Sequence, residues 1–254
     1  MNQIKSFAAV FLLVFSFQSL VAQQKPFLEN LYDYIENPQM IGLNQEEGHV
    51  PLLPYASLDK AFSRDKAQSS GYLSLDGKWK FLYTVNPDGI NKNFFRNDFN
   101  EKGMAEITVP GMWQMQGWGE KIFRNVAQPF KSDPPKIPRD YNPVGSYRKT
   151  FTVPANFNGK QLFLHFEGVA SAFFVWVNGQ EVGYNQGANE PAEFDVTKLV
   201  KPGKNTVSVM VFQFSDGIYN EDQDMWRLGG IFRSVYLMAT PKVHLRDYYI
   251  VTDL

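Results

Sequence analysis

Short apolar runs, set apart by Gly, Pro, Asn and Asp, make up most of the chain after residue 25. Many of these runs alternate apolar and polar positions or are continuously apolar over a strand's length, and no long run has the period of a helix. This pattern predicts an all-β sandwich. The predicted strands cover residues 77–83, 106–109, 145–153, 161–166, 172–177, 180–184, 206–214 and 233–239. Eight strands at this spacing suit a jelly roll, in which two sheets close over one core.

The segments between the strands carry their own signals. Asn178-Gly179 separates two apolar runs and predicts a hairpin with a type I′ turn, since both central residues of that turn need positive φ. The polar residues 57–68 predict one or two helical turns. Residues 23–56, rich in Pro and Asn, predict an arm laid over the surface, and residues 129–143, with five prolines, predict an extended loop.

The two ends of the chain predict export and a further domain. A short basic start and the apolar residues 6–22 are typical of a secretory signal spanning residues 1–22. The apolar run is shorter than the roughly 20 residues that cross a bilayer, so we expect a soluble periplasmic or extracellular protein with no membrane partner. Residues 23–70 would then form the arm and residues 71–240 the jelly roll.

Thr240-Pro241 ends the last predicted strand, and residues 243–252 begin another strand that has nothing to pair with. Residues 241–254 are therefore expected to start a truncated next domain.

The amino-acid composition excludes several classes of function. The chain has 25 basic and 26 acidic residues, a net charge of −1, and no basic stripe, so no nucleic-acid partner is expected. The absence of cysteine excludes disulfides, thiolate metal sites and cysteine nucleophiles. The histidines are His49, His165 and His244, too few for a histidine-rich metal site, and His165 falls in an alternating run that makes it a sheet residue. The 22 Phe, 12 Tyr and 5 Trp residues favour an aromatic core, although such rings also stack on sugars.

Five ordered segments carry a resemblance to a known family. They are residues 107–117, 122–130, 142–148, 168–195 and 215–233, and Glu36-Asn37-Pro38 adds to them. Together they resemble the galactose-binding-like first domain of the large, multidomain β-galactosidases of glycoside hydrolase family 2. In that family the jelly roll leads into an immunoglobulin-like domain and then a barrel that bears two catalytic glutamates.

The resemblance implies a role for two residues. By motif match, Asn125 of the Asn-Val-x-x-Pro segment and Asp216 of Ser-Asp-Gly contact the terminal galactose, and Asp216 also helps to hold a sodium ion. A carboxylate can accept bonds from adjacent hydroxyls, an amide can donate and accept, and hard cations prefer oxygen ligands. From the residues alone, Asp216 before a glycine is more typical of a turn and Asn125 of a loop amide. One departure, Ala188 in place of Ser, is expected to lie away from both contacts.

Other polar and aromatic residues are open to two interpretations. The acidic group of Glu221, Asp222 and Asp224 could be a divalent-cation site or a catalytic pair. We expect instead a structural group, held by buried hydrogen bonds and by ion pairs to nearby arginines. Trp226 is expected to pack within the same loop. Trp113 and Trp118 are expected to serve core or interdomain packing rather than sugar stacking.

The resemblance implies that this chain is the N-terminal portion of an enzyme that hydrolyses terminal non-reducing β-D-galactose residues from β-D-galactosides. Its partners would be the sugar and the remaining domains of the same enzyme, and the full-length protein is expected to form homo-oligomers. The catalytic glutamates and the magnesium site are expected beyond this chain, which alone should be inactive. A free-standing, non-catalytic carbohydrate-binding module and a structural β domain are the alternatives.

Overall fold

The computed structural model describes residues 26–125, 128–221 and 223–253. The predicted signal, residues 1–22, lies outside the described residues and stays a prediction. In chain order the described strands are β1 (Gly42–Leu43), β2 (Tyr72–Ser74), β3 (Gly77–Thr84), β4 (Ala105–Val109), β5 (Ile122–Arg124), β6 (Val144–Val153), β7 (Gln161–Phe166), β8 (Val169–Ala170), β9 (Ala172–Val177), β10 (Gln180–Asn185), β11 (Ala192–Asp195), β12 (Gly203–Phe212), β13 (Met225–Arg227), β14 (Gly230–Ile231) and β15 (Val235–Thr240). The helices are α1 (Leu31–Ile35), α2 (Leu58–Phe62) and α3 (Ile218–Glu221).

The strands form two main sheets, in which every pairing is antiparallel. The larger sheet has seven strands in the order β1-β10-β9-β12-β6-β3-β4, and the smaller has four in the order β11-β7-β15-β2. Two short ribbons, β13-β5 and β14-β8, lie outside them. The predicted all-β sandwich is confirmed, and each of the eight predicted strands is present: 161–166 and 172–177 have the predicted ends, and the other six have ends shifted by one to three residues. The hairpin between β9 and β10 turns at Asn178 (φ 51°) and Gly179 (φ 79°), as a type I′ turn requires.

The main core lies between the two sheets. Its largest side chains, Trp79, Phe81, Tyr147 and Phe166, are at most 1% exposed. Trp113, in a 3-10 turn after β4, is fully buried, and Trp118 packs against the edge of the same core. The prediction that both tryptophans serve packing is confirmed.

A second apolar cluster covers the outer face of the larger sheet, and the N-terminal arm builds part of it. All six residues of β9 are buried, so Phe174 and Trp176 need cover on the side away from the main core. Phe27 and Ile35 of the arm are fully buried there. Tyr34 packs on Phe174 with 5.4 Å between ring centroids. The arm predicted over residues 23–56 thus lies on this face of the sheet, where its apolar residues complete a core.

A buried polar group fastens the later part of the arm to the smaller sheet. Glu193 on β11 contacts His165 Nδ1 on β7 and His49 Nε2 in the arm, each at 3.0 Å. His165 also stacks on Tyr236 of β15, with ring centroids 4.6 Å apart. His165 is thus a sheet residue, as predicted.

The remaining segments follow the sequence signals in part. Residues 57–68 contain α2 and a 3-10 turn at Lys66–Gln68, which confirms the predicted helical turns. Residues 242–253 form no strand, since no described segment pairs with them, and Tyr249 is 90% exposed. The further domain therefore stays a prediction. Within the described part of the chain, no helix has the length and apolar character needed to cross a bilayer.

Candidate functional site

Asp216 lies in the turn that connects β12 to α3. Its backbone N–H donates to the carbonyl of Ile35 at 2.8 Å, and its own carbonyl accepts from Tyr219 N–H at 3.1 Å. These bonds fix the turn to the N-terminal arm on one side and to the first turn of α3 on the other. The residue is only 4% exposed, and its Oδ1 has no hydrogen-bond partner among the described residues.

The surroundings of Asp216 leave its negative charge poorly compensated. Burial raises the pKa of the Asp216 carboxyl group, against lowering hydrogen bonds from the Gln186 side chain and from backbone N–H groups. Nearby Glu36 raises it further. Burial also raises the pKa of Glu221, and the charge of Asp216 adds to that shift. A buried carboxylate in this state gains free energy from a cation or from hydroxyl donors that reach the oxygen without a partner.

Asn125 lies at the end of a neighbouring ribbon. It follows β5 directly and is exposed, and the pairing of Arg124 with Met225 sets it beside the start of β13. Met225 lines the same cleft as Ile218, which is two residues after Asp216. Neither Asp216 nor Asn125 lines this cleft itself, but each lies near a residue that does, Asp216 through Ile218 and Asn125 through Met225.

The cleft between these elements has a volume of about 350 Å³. Its lining is mainly apolar, including Phe214, Ile218, Trp226 and Phe232, with Gln213 and Glu221 among its polar groups. Ala188 lines it as well, and its N–H donates to Glu221 Oε1 at 3.3 Å. Ala188 was expected to lie away from the implied contacts, but the loop after β10 folds back onto the Asp216 turn.

Trp226 contradicts the prediction that it packs within its loop. It is 52% exposed, and its ring contacts that of Phe123 at 5.5 Å between centroids. The β5-β13 ribbon explains this position, because Trp226 pairs with Phe123 across the ribbon and both rings, at about half exposure, stand at the surface.

The acidic group after Asp216 is only partly as expected. Glu221 is half-buried and bonded as described, but Asp224 is exposed, and Asp222 lies outside the described residues. Arg233 donates to the backbone carbonyls of Glu167 and Asn189. The described residues contain no group of three or more His, Asp or Glu side chains that could hold a metal ion. Because Asp222 lies outside the described residues, the divalent-cation interpretation of the acidic group stays untested.

Sequence reasoning missed two buried polar residues near Asp216. Tyr184 and Gln186 are 0% and 6% exposed, and the Tyr184 hydroxyl contacts Gln186 Oε1 at 2.7 Å. The available signal was a polar pair, Asn185-Gln186, at the end of the predicted strand 180–184 and before a glycine-containing loop. Buried polar groups need hydrogen-bond partners, so a polar pair next to a loop is a candidate for contacts with a functional residue.

Comparison with known proteins agrees with this architecture. Residues 72–241 match the model of the glycosyl hydrolases family 2 sugar binding domain. A β-galactosidase of Priestia megaterium is 41% identical over 226 residues, which are 87% of this chain and 22% of that protein. A β-galactosidase of Photobacterium profundum is 42% identical over 220 residues, 86% of this chain and 21% of that protein. The chain thus spans about a fifth of the length of these curated relatives.

Solved structures show the same fold at lower identity. A β-glucuronidase of Bacteroides uniformis superposes with a TM-score of 0.52 and 23% identity, over 67% of this chain and 18% of that one. Since the family model covers well over half of the chain, the family follows from it directly. The chain belongs to glycoside hydrolase family 2 and carries that family's sugar-binding domain.

Proposed function

We propose that this chain is the N-terminal portion of a β-galactosidase, and that Asp216 and Asn125 contact the terminal β-D-galactose of the substrate. The observation that carries the proposal is the buried Asp216 carboxylate, whose Oδ1 has no partner among the described residues. Leaving such an oxygen unsatisfied costs about 1–3 kcal/mol or more for a charged group, so a ligand that supplies donors recovers that free energy. Adjacent sugar hydroxyls are donors of this kind.

Asn125 complements the carboxylate. Its exposed amide can both donate and accept, which matches a hydroxyl that does the same. It follows Arg124, the partner of Met225 across the ribbon, and Met225 lines the cleft together with Phe214 and Ile218. A galactose held between them would be bound from two directions.

Sodium is the cation that the resemblance implies at Asp216, and the residue fits it. A buried, under-compensated carboxylate with one oxygen that has no partner among the described residues is a suitable ligand for a hard cation. Bound sodium would neutralise that charge next to the sugar. Its other ligands, the magnesium site and the catalytic glutamates are proposed to lie in the remainder of the enzyme.

The exposed ribbon supports a partner domain at this edge. Phe123, Met225 and Trp226 are each 45–52% exposed and adjoin the cleft. Apolar surface of this kind beside a polar site is suited to packing by another part of the same polypeptide. Homo-oligomerisation and a periplasmic or extracellular location remain part of the same proposal, the latter resting on residues 1–22.

The decisive experiment is to express the reading frame that continues past Leu254 and to compare its hydrolysis of chromogenic β-galactosides and β-glucuronides. We expect turnover of the galactoside, dependent on sodium. Turnover of the glucuronide alone would overturn the substrate assignment. A stop codon directly after Leu254, together with galactose binding by the 254-residue chain, would instead support a free-standing carbohydrate-binding module.

A further inference from the structure

Two buried glutamine side chains join three segments of the chain next to the cleft. Gln114 lies in the 3-10 turn after β4, Gln213 directly follows β12, and they are only 2% and 4% exposed. Gln114 Oε1 accepts a hydrogen bond from Gly229 N–H at 3.0 Å, and Gln114 Nε2 donates to Gln213 Oε1 at 3.1 Å. Gln213 Nε2 in turn donates to the backbone carbonyl of Arg227 at 3.0 Å. The three bonds link the turn after β4 and the end of β12 to the end of β13.

The backbone groups at the two ends fix the orientation of both amides. The N–H of Gly229 can only donate, so it must meet the oxygen of Gln114. The carbonyl of Arg227 can only accept, so it must meet the NH₂ group of Gln213. Between the glutamines, an NH₂ group then faces an oxygen. Turning either amide over would set donor against donor at one of its contacts and acceptor against acceptor at the other, so only one arrangement makes all three bonds.

The chain around Gln213 is fixed as far as Asp216. Gln213 N–H donates to the carbonyl of Pro143 at 2.9 Å. Phe214 exchanges two hydrogen bonds with the Asn142 side chain, at 2.9 and 3.0 Å. Asp216 follows two residues later, with its own N–H bonded as described above. The residue that holds the end of β13 thus belongs to the same rigid stretch of backbone as Asp216.

The segment after β13 lies tightly against the turn that carries Gln114. Trp113 N–H donates to the carbonyl of Gly229 at 3.0 Å, and the Trp113 ring fills the space that a side chain at Gly229 would need. The glutamine pair therefore bonds to the backbone on both sides of Leu228. Arg227, Leu228 and Gln213 all line the cleft, so these bonds determine the form of one of its walls.

The same bonds control where the β5-β13 ribbon lies. Arg227 is the last residue of β13 and pairs with Ile122 of β5. The ribbon is a two-stranded sheet separate from the two main sheets. Asn125 follows β5 directly, and residues 122–125 extend by roughly 10 Å at the usual rise of a strand. Because the ribbon is paired in register, a shift of its buried end at Arg227 also moves Asn125.

We infer that Gln114 and Gln213 are positioning residues, which set the separation between the Asp216 turn and the ribbon that carries Asn125. This inference rests on the proposed function of Asp216 and Asn125. It assigns to two buried amides the task of holding the two proposed galactose contacts at a fixed distance from each other.

The test uses glutamine-to-methionine variants of the full-length enzyme, since methionine has a similar length but does not replace the amide hydrogen bonds. Gln213→Met removes the bond to Arg227. Gln114→Met keeps that bond and is the milder change, so it carries the test if Gln213→Met does not yield folded enzyme. Asn205→Leu is the matched control, because Asn205 is 1% exposed and its amide bonds to the carbonyls of Lys201 and Gly203 at the opposite end of β12.

The readout is the KM and kcat for a chromogenic β-galactoside, beside a thermal melt. We expect Gln213→Met to raise KM by about two- to tenfold, the range for one net hydrogen bond between neutral groups. The kcat should change by less, because the lost contact is present in the substrate complex and in the transition state alike. Gln114→Met should raise KM by less, and the double variant by less than the product of the two single effects. Asn205→Leu should lower the melting temperature and leave KM unchanged.

A double-mutant cycle with Asn125→Ala shows whether the glutamines act through Asn125. In the Asn125→Ala background, Gln213→Met should have little further effect on KM. A further rise of the full size there, or an equal rise in Asn205→Leu, would overturn the inference. Wild-type KM in both glutamine variants, beside a raised KM in Asn125→Ala, would overturn it and leave the proposed function standing. Wild-type kinetics in both Asn125→Ala and Asp216→Asn would instead refute the proposed function.

Discussion

Replacing Asp216 by Asn in the full-length enzyme tests the proposed site most directly. The substitution keeps the shape of the side chain but removes the charge, and one oxygen becomes an NH₂ group. Because Oδ1 has no partner in the described chain, the proposed contacts with hydroxyls or sodium depend on the charge that the change removes. A charge-assisted hydrogen bond contributes about 1.5–3 kcal/mol, so kcat/KM should fall by about ten- to a hundredfold.

Stability should change in the opposite direction to activity. The pKa of Asp216 is raised by burial, so the folded state binds a proton more readily than the unfolded chain does. The stability contributed by the protonated carboxyl group is therefore complete below its unfolded pKa and is lost as the pH rises through the folded value. Asn cannot ionise and escapes this loss. We expect the melting temperature of Asp216→Asn, relative to wild type, to increase with pH.

The assay combines steady-state kinetics across a sodium titration with thermal melts at pH 4, 6 and 8. The expected result is a lower kcat/KM, a weakened response to sodium and a melting temperature at pH 8 that is no lower than that of wild type. Wild-type kinetics with an unchanged sodium response would refute the reasoning. A fall in activity that merely follows a fall in melting temperature would show a structural turn residue.

Three further predictions concern other parts of the chain. Asn125→Ala should reduce kcat/KM by less than Asp216→Asn, by about tenfold at most, since only neutral hydrogen bonds are lost; the same kinetic assay checks this. The purified 254-residue chain should not hydrolyse a chromogenic β-galactoside, and turnover that persists after host galactosidase is removed would contradict this. Burial raises the pKa of Glu193, but the hydrogen bonds from His165 and His49 lower it by more, so the charged carboxylate is favoured in the folded protein. Glu193→Gln removes this charge and should lower the free energy of unfolding by about 1–3 kcal/mol at pH 7. That stabilisation is present above the pKa of Glu193 in the unfolded chain and is lost as the pH falls through its pKa in the folded protein. Urea denaturation should therefore show a smaller difference in the free energy of unfolding between Glu193→Gln and wild type at pH 3.5 than at pH 7. The control Glu106→Gln, which removes an exposed ion pair with Lys80, should show little change at either pH.

The main strands could be predicted from the sequence because their apolar runs are long enough to show a period. The long β6 and β12 strands show this well, since they pair along their full length. The short strands β5 and β13 are three residues each and carry too few positions for a pattern. Their ribbon determines where Trp226 lies, which explains why its exposure was mispredicted.

The site was predictable only in part. The Ser-Asp-Gly motif identified Asp216 through a resemblance, since an aspartate before glycine is by itself more typical of a turn. The supporting contacts depend on tertiary structure: Gln186 and Ile35 are distant from Asp216 in sequence, and no local pattern links them. The burial of Phe27 and Ile35 was missed for the same reason, because the face that they cover belongs to strands far along the chain.

The bond between Ile35 and Asp216 has a consequence for the order in which the protein folds. It joins the first described helix to a turn near the end of the domain, and contacts so distant in sequence close slowly because a long loop must be ordered first. During synthesis the arm leaves the ribosome early, whereas β12 and the Asp216 turn follow much later. Phe27 and Ile35 therefore have no complete surface to pack against until then, and they must be kept from aggregating in the meantime.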